Sequence, residues 1–282
     1  MNRYMSYVKK QTIVPWDNSN QNSGRIKFIR EILRFLDKLN ENSIVKNHIG
    51  KLCFEENWDD LYEYFTQDLE GIKIRNAWNI QFDVYRSKEL AQRIIPYLQG
   101  DVIVDGLCGS GKIANKIVES TDKNVICIER NHQKYIANKV KSTLIWLDFY
   151  QKLAWPKDVD TLILSTVLHH EMKPENTFKH FLERLKPKRI ILVENPIYPE
   201  YGKSFQTITD FFYQRGLNNL PDPIPSQHKT NKQWVAFCNQ GIQLLRGAKV
   251  KKIIVQNPCF KLPAILPPHS IITANIEYEQ SY

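Results

Sequence analysis

The stretch DVIVDGLCGSGKIANKI, Asp101 to Ile117, decides the fold. It begins as a short continuous apolar run, becomes glycine-rich, and ends with helical spacing. It therefore reads as a buried strand reaching Asp105, a tight turn, and a helix starting near Gly111. Glycines let backbone approach a ligand without a Cβ clash, and a helix start presents free N–H groups to it. The same alternation repeats downstream. Apolar runs at Val102–Val104, Val125–Ile128, Leu144–Leu147, Leu162–Leu164 and Ile190–Val193 are separated by helical stretches at Gly111–Ser120, Asn131–Lys141 and Glu175–Leu185. Continuous runs of this kind, alternating with helices, predict β-α-β units and a parallel sheet buried on both faces. A proline-rich insertion with a helix at Thr207–Gln214 follows, then a helix at Asn231–Leu245, and strands at Val250–Val255 and Ile271–Tyr278. The expected class is α/β: a seven-stranded, mostly parallel, doubly wound sheet whose last two strands are antiparallel.

Before residue 100 the pattern is helical and aromatic. Ile26, Ile29, Ile32, Leu33, Leu36 and Leu39 predict an amphipathic helix over Arg25–Asn40. Trp58, Leu61, Tyr62 and Phe65 suggest a second, and Ser87–Leu98 a third with Ser87 as its N-cap. The expected organisation is an N-terminal helical cap, 1–99, followed by the sheet domain, 100–282, which carries a lid insertion at 195–233. The chain has 282 residues with 42% hydrophobic and 24% charged, an ordinary globular composition. Five scattered cysteines without a C-x-x-C argue against a disulfide framework or zinc ribbon and point to a reducing, cytoplasmic location. No stretch approaches the ~20 apolar residues of a membrane span, and the N-terminus does not read as a signal peptide. The net charge of +9 is spread along the chain, which fits a basic enzyme better than a nucleic-acid platform.

Three ligand classes use a glycine turn of this kind. A phosphate loop needs a hydroxyl where Ile113 stands, so Gly106, Gly111 and Lys112 match it without the Mg²⁺ ligand. A dinucleotide fingerprint would use Gly109, Gly111 and Ala114, but Asp105 would then repel the pyrophosphate. S-adenosylmethionine carries a sulfonium and an ammonium, which an acid at the strand end attracts. Its ribose diol suits a carboxylate at the end of the second strand, and Glu129 stands there, 18 residues after Gly111.

With those residues in view, Val102–Gly111 resembles the first motif of class I methyltransferases, a hydrophobic strand followed by D-x-G-C-G-x-G. Asp105, Cys108, Gly109, Ser110 and Gly111 match; Leu107 stands at the usual first glycine, with Gly106 one place earlier. The resemblance extends over roughly Tyr85 to Tyr278 and implies a Rossmann-like methyltransferase fold. It also implies S-adenosylmethionine as cofactor, S-adenosylhomocysteine as product and in-line methyl transfer to an oxygen or nitrogen. The acceptor class is a small molecule, natural products and peptides among them. The alternatives are an RNA methyltransferase and a non-catalytic cofactor-binding scaffold. Oligomeric state is not legible.

The expected cofactor residues are Tyr85, Arg86, Asp105, Gly106, Cys108, Gly109, Gly111, Glu129, Asp148 and Thr166. Arg86 suits the methionine carboxylate, and Asp148 either meets the adenine or only turns the chain. A general base, if the acceptor needs one, is His170 or His228, with Glu194 the other candidate. His169, Asn195, Tyr198, Tyr201 and Tyr213 are expected to line the acceptor pocket, roofed by the insertion. No metal is expected, because adjacent histidines do not readily chelate one ion and Glu171 does not complete a set.

Overall fold

The computed structural model describes residues 18–81, 86–130, 144–151, 154–197, 202–218, 227–256 and 269–279. Four helices come first: α1 (Asn18–Lys38), α2 (Ser43–Phe54), α3 (Trp58–Gln67) and α4 (Leu69–Ile80). Then come α5 (Ser87–Ile94), β1 (Ile103–Gly106), α6 (Lys112–Ser120), β2 (Val125–Glu129), β3 (Ile145–Asp148), β4 (Thr161–Ser165), α7 (Pro174–Leu185) and β5 (Arg189–Glu194). The chain continues through α8 (Gly202–Phe211), a π-helical segment (Phe212–Leu217), α9 (Asn231–Gln243), β6 (Ala248–Gln256) and β7 (Ser270–Tyr278).

The seven strands form one sheet in the order β3-β2-β1-β4-β5-β7-β6. The first five are parallel, while β7 runs antiparallel to β5 and β6 antiparallel to β7. Successive side chains of a strand point to opposite faces, and both faces are covered here. Val104, Leu162, Leu164, Ile190 and Leu192 pack beneath α7 and α9. Ile103, Cys127, Ile163, Ile191 and Val193 pack beneath α5 and α6. This two-sided burial is why the central strands read as continuous apolar runs. The strand order reverses between β1 and β4, so the crevice for a ligand opens at their carboxyl ends.

The described part of the insertion packs on the N-terminal helices. Phe205, Ile208, Phe212 and Leu217 share a core with Phe28, Ile32, Phe35, Leu61, Phe65 and Trp78 of the N-terminal helices. The segment is thus part of the cap's own interior. Ser87 is not an N-cap: Arg86 before it is already helical (φ −61°, ψ −51°), and Ser87 is buried inside the first turn. The helix expected at 131–141 lies outside the described residues. No helix among the described residues is long and apolar enough to cross a membrane.

Candidate active site

The glycine turn is built from left-handed backbone. Leu107 (φ 53°), Gly109 (φ 57°) and Gly111 (φ 69°) all have positive φ. Leu107 therefore keeps the conformation that the missing glycine would take, at a cost of about 1–2 kcal/mol for an L side chain. Its side chain is buried in the core beneath α7, which offsets that cost. The three glycines do different work. A Cβ at Gly106 would sit 2.8 Å from Phe181, and one at Gly111 would sit 2.9 Å from Trp146, so both serve close packing. At Gly109 a Cβ would meet nothing within 4 Å, so this backbone faces open space.

Two acids frame that opening. Asp105 is buried, and burial first, then the charge of Glu129, pushes its carboxyl up to about 8. Its Oδ1 has no hydrogen-bond partner among the described residues. Glu129 ends β2 and accepts the Gly109 N–H on Oε2 (2.8 Å) and the Arg130 N–H on Oε1 (2.8 Å). It thereby ties the second strand end to the turn. Asp148 stands beside Glu129 in register, and its Oδ1 accepts the Tyr150 N–H at 2.8 Å, which makes it a turn-former in this loop. Burial raises the Cys108 thiol well above the usual range, and Cys127 adds to this.

Arg86 and Thr166 are brought together. The Arg86 guanidinium donates to Thr166 Oγ1 (2.5 Å) and lies 3.4 Å from His269 Nε2. Thr166 has φ 56°, an uncommon conformation for a β-branched residue, of the kind that clusters at functional sites.

Outside the ends of β4 and β5 lies a histidine cluster. His169 and His170 end a single 3₁₀ turn, Leu168–His170, with ring centroids 3.8 Å apart. His169 Nδ1 is 2.5 Å from Glu194 Oε2, while Glu194 Oε1 accepts the Leu168 N–H. Burial alone would lower His169, but the charge and hydrogen bond of Glu194 prevail and raise it. His228 stacks on His169 at 5.1 Å and places Nε2 2.7 Å from Asp210 Oδ2. Burial would raise Asp210, but His228 and the other two imidazoles hold it below the usual carboxylate range. An ionised Asp210 only accepts, so His228 Nε2 carries the hydrogen. Its Nδ1 is buried and without a partner among the described residues. His170, facing Gln214 at 3.3 Å, is lowered to about 3 by burial and by His169. It is therefore a poor base near neutral pH, contrary to its place among the expected bases.

Asn195 is buried at the end of β5 with Oδ1 unpartnered, and so is Ser165 Oγ at the end of β4. Unpaired buried polar atoms are rare enough to need an explanation, and these five (with Asp105, His228 and His269) lie on strand ends and loops on the side of the sheet where the parallel strands end. Tyr213 packs on Trp78 within the cap, and burial raises its phenol. Tyr85, Tyr198 and Tyr201 lie outside the described residues. Sequence reading missed Asp210, Gln214 and His269. Asp210 and Gln214 share a helix face at i, i+4, hidden among the aromatics of TITDFFYQ.

No protein-family model matches the sequence. No curated protein matches it either. Among solved structures, a SAM-dependent methyltransferase of Thermotoga maritima, a possible histamine N-methyltransferase, is 14% identical with a TM-score of 0.50, over 76% of this chain and 99% of that one. The mitomycin 7-O-methyltransferase is 13% identical with a TM-score of 0.49, over 76% of this chain and 60% of that one. The likeness is one of fold: the chain has the Rossmann-like architecture of class I methyltransferases, with an added N-terminal helical region.

Proposed function

We propose that this chain is an S-adenosylmethionine-dependent methyltransferase acting on an oxygen or nitrogen of a small-molecule acceptor. The orphaned carboxylate oxygen of Asp105 carries the reading. A buried acid pushed up to about 8 is stabilised by a cation laid beside it. An anionic pyrophosphate in the same bend would meet both Asp105 and Glu129 at low dielectric. Gly109 leaves room for a ligand at the turn, and Glu129 stands where two ribose hydroxyls would be received. When bound, S-adenosylmethionine supplies an electrophilic methyl on a sulfonium, so alignment and exclusion of water are the protein's main tasks. Arg86, beside Thr166, is placed to pair with the methionine carboxylate. His228, held by Asp210 through Nε2, takes the acceptor's proton on Nδ1. The Thermotoga protein of similar fold is itself a SAM-dependent methyltransferase, which accords with this reading.

Calorimetry with S-adenosylmethionine, S-adenosylhomocysteine, NADH and ATP tests it, followed by methyl-label transfer to small-molecule extracts and to total RNA. Binding of the first two and labelling of small molecules is expected. Gly109→Val should abolish that binding in a folded protein. Binding of NADH or ATP instead would overturn the proposal, salt-sensitive labelling of RNA would favour a nucleic-acid acceptor, and binding without turnover would favour a scaffold.

A further inference from the structure

We propose that His169, His170 and Asp210 form a site for a divalent first-row transition ion, a donor set that takes zinc or iron(II). One ligand atom from each lies within 4.8 Å of the others. Bonds of ~2.0–2.2 Å to zinc would draw them together by only about an ångström. Adjacent histidines diverge on a strand, and this argued against a metal in sequence. Here they close a single 3₁₀ turn with their rings side by side, so the objection does not apply.

The stronger argument is the outer layer. Metal-binding imidazoles and carboxylates are held by a second partner on their remaining atom. Each of the three has one. Glu194 takes His169 Nδ1 at 2.5 Å and leaves Nε2 for the ion. His228 takes Asp210 Oδ2 at 2.7 Å and leaves Oδ1. Gln214 faces His170 Nδ1 at 3.3 Å and leaves Nε2; its amide presents either nitrogen or oxygen to that atom. Four separate segments supply this arrangement: the turn after β4, the end of β5, α8 with its π-helical continuation, and the loop before α9. Two imidazoles and one carboxylate make three protein ligands, the number that leaves a position open. That position suits an acceptor oxygen or nitrogen that binds the ion directly. The role in substrate binding rests on the methyltransferase reading; the ion site does not.

The test uses the full-length protein stripped with a chelator. Zinc is titrated against a chromophoric competitor, and cobalt is substituted to read the ligand field. One ion per chain is expected, at micromolar or tighter affinity, with a cobalt spectrum of low coordination number and no thiolate band. His170→Ala and Asp210→Ala should each weaken zinc binding at least tenfold. Glu194→Gln should weaken it ~10–100-fold through loss of the partner on His169, and His48→Ala on α2 should leave it unchanged. Absence of stoichiometric zinc, a thiolate band in the cobalt spectrum of the unmodified protein, or affinity unchanged in both Ala variants would overturn the site. Parallel calorimetry with S-adenosylmethionine separates the two claims. Cofactor binding without zinc sinks only the metal site, and zinc without cofactor sinks only the methyltransferase reading.

Discussion

Asp105 is buried at the crevice with an acid whose proton is held up to about 8, by burial and then by Glu129. A group whose folded pKa is raised contributes stability below its unfolded value, near 4, and loses it as pH rises through the folded value. Thermal melts of the unliganded protein should therefore fall between pH 4 and 8, and Asp105→Asn should flatten that fall. The variant should be the more stable protein at pH 9, the two should converge at pH 4, and the variant should bind S-adenosylmethionine at least tenfold more weakly. Equal pH profiles would remove the buried-acid assignment. His228 is tested by turnover: His228→Ala should cost ~10²–10⁴ in rate while cofactor affinity measured by calorimetry stays within twofold. The placing of Asp105 and Glu129 at strand ends was legible because charge closing an apolar run is a local signal. Leu107 was not: only the backbone shows that a leucine holds the left-handed turn that the pattern assigns to glycine.

Among the elements, every strand expected in sequence is present within one or two residues, because burial on both faces leaves an unbroken apolar run that needs no partner to be read. Two cap helices escaped notice for the opposite reason. α4 buries only Gly71, Ile74 and Trp78 while exposing Leu69 and Ile80, and α2 exposes Ile44 and Phe54, so apolar residues on the wrong face blur the helical period. One helix start lies beside the candidate site. α9 begins with a capping box: the Gln233 N–H donates to Thr230 Oγ1 (3.2 Å) and the Thr230 N–H donates to Gln233 Oε1 (2.8 Å). His228 lies two residues upstream. Thr230→Ala should cost ~1 kcal/mol, about 2–4 °C in Tm for a domain of this size. Turnover should fall further than that loss of stability explains, because fraying the helix start lets His228 drift from Asp210. A normal rate in the destabilised variant would show that the cap does not position the histidine.

At the scale of the molecule, the cap and the insertion are one hydrophobic unit, although α1 and α8 lie more than 150 residues apart in sequence. No local pattern announces such a pairing: that Phe212 is buried could be expected of a helix face, but not that Phe28, Trp58, Phe65 and Trp78 surround it. The same unit delivers Asp210 and Gln214 to the histidines on the sheet, so site geometry depends on how closely α1 and α8 approach. Gly24 sets that approach: a Cβ there would lie 2.1 Å from Ser204 Oγ and 2.7 Å from the backbone nitrogen of Phe205. The hydroxyl can rotate away, but the backbone cannot. Alanine in place of a mid-helix glycine normally stabilises by ~0.5–1 kcal/mol. Here overpacking of ~1–3 kcal/mol should outweigh it and push α8 off α1. Gly24→Ala should therefore lower the stability of the cap. Hydrogen exchange should quicken in residues 24–80 and 202–217 together, sheet amides should keep their protection, and turnover should drop although no site residue has changed. Exchange that quickens in α1 alone, with α8 still protected, would mean that the two segments do not fold as one unit and that the sheet by itself holds Asp210 in place.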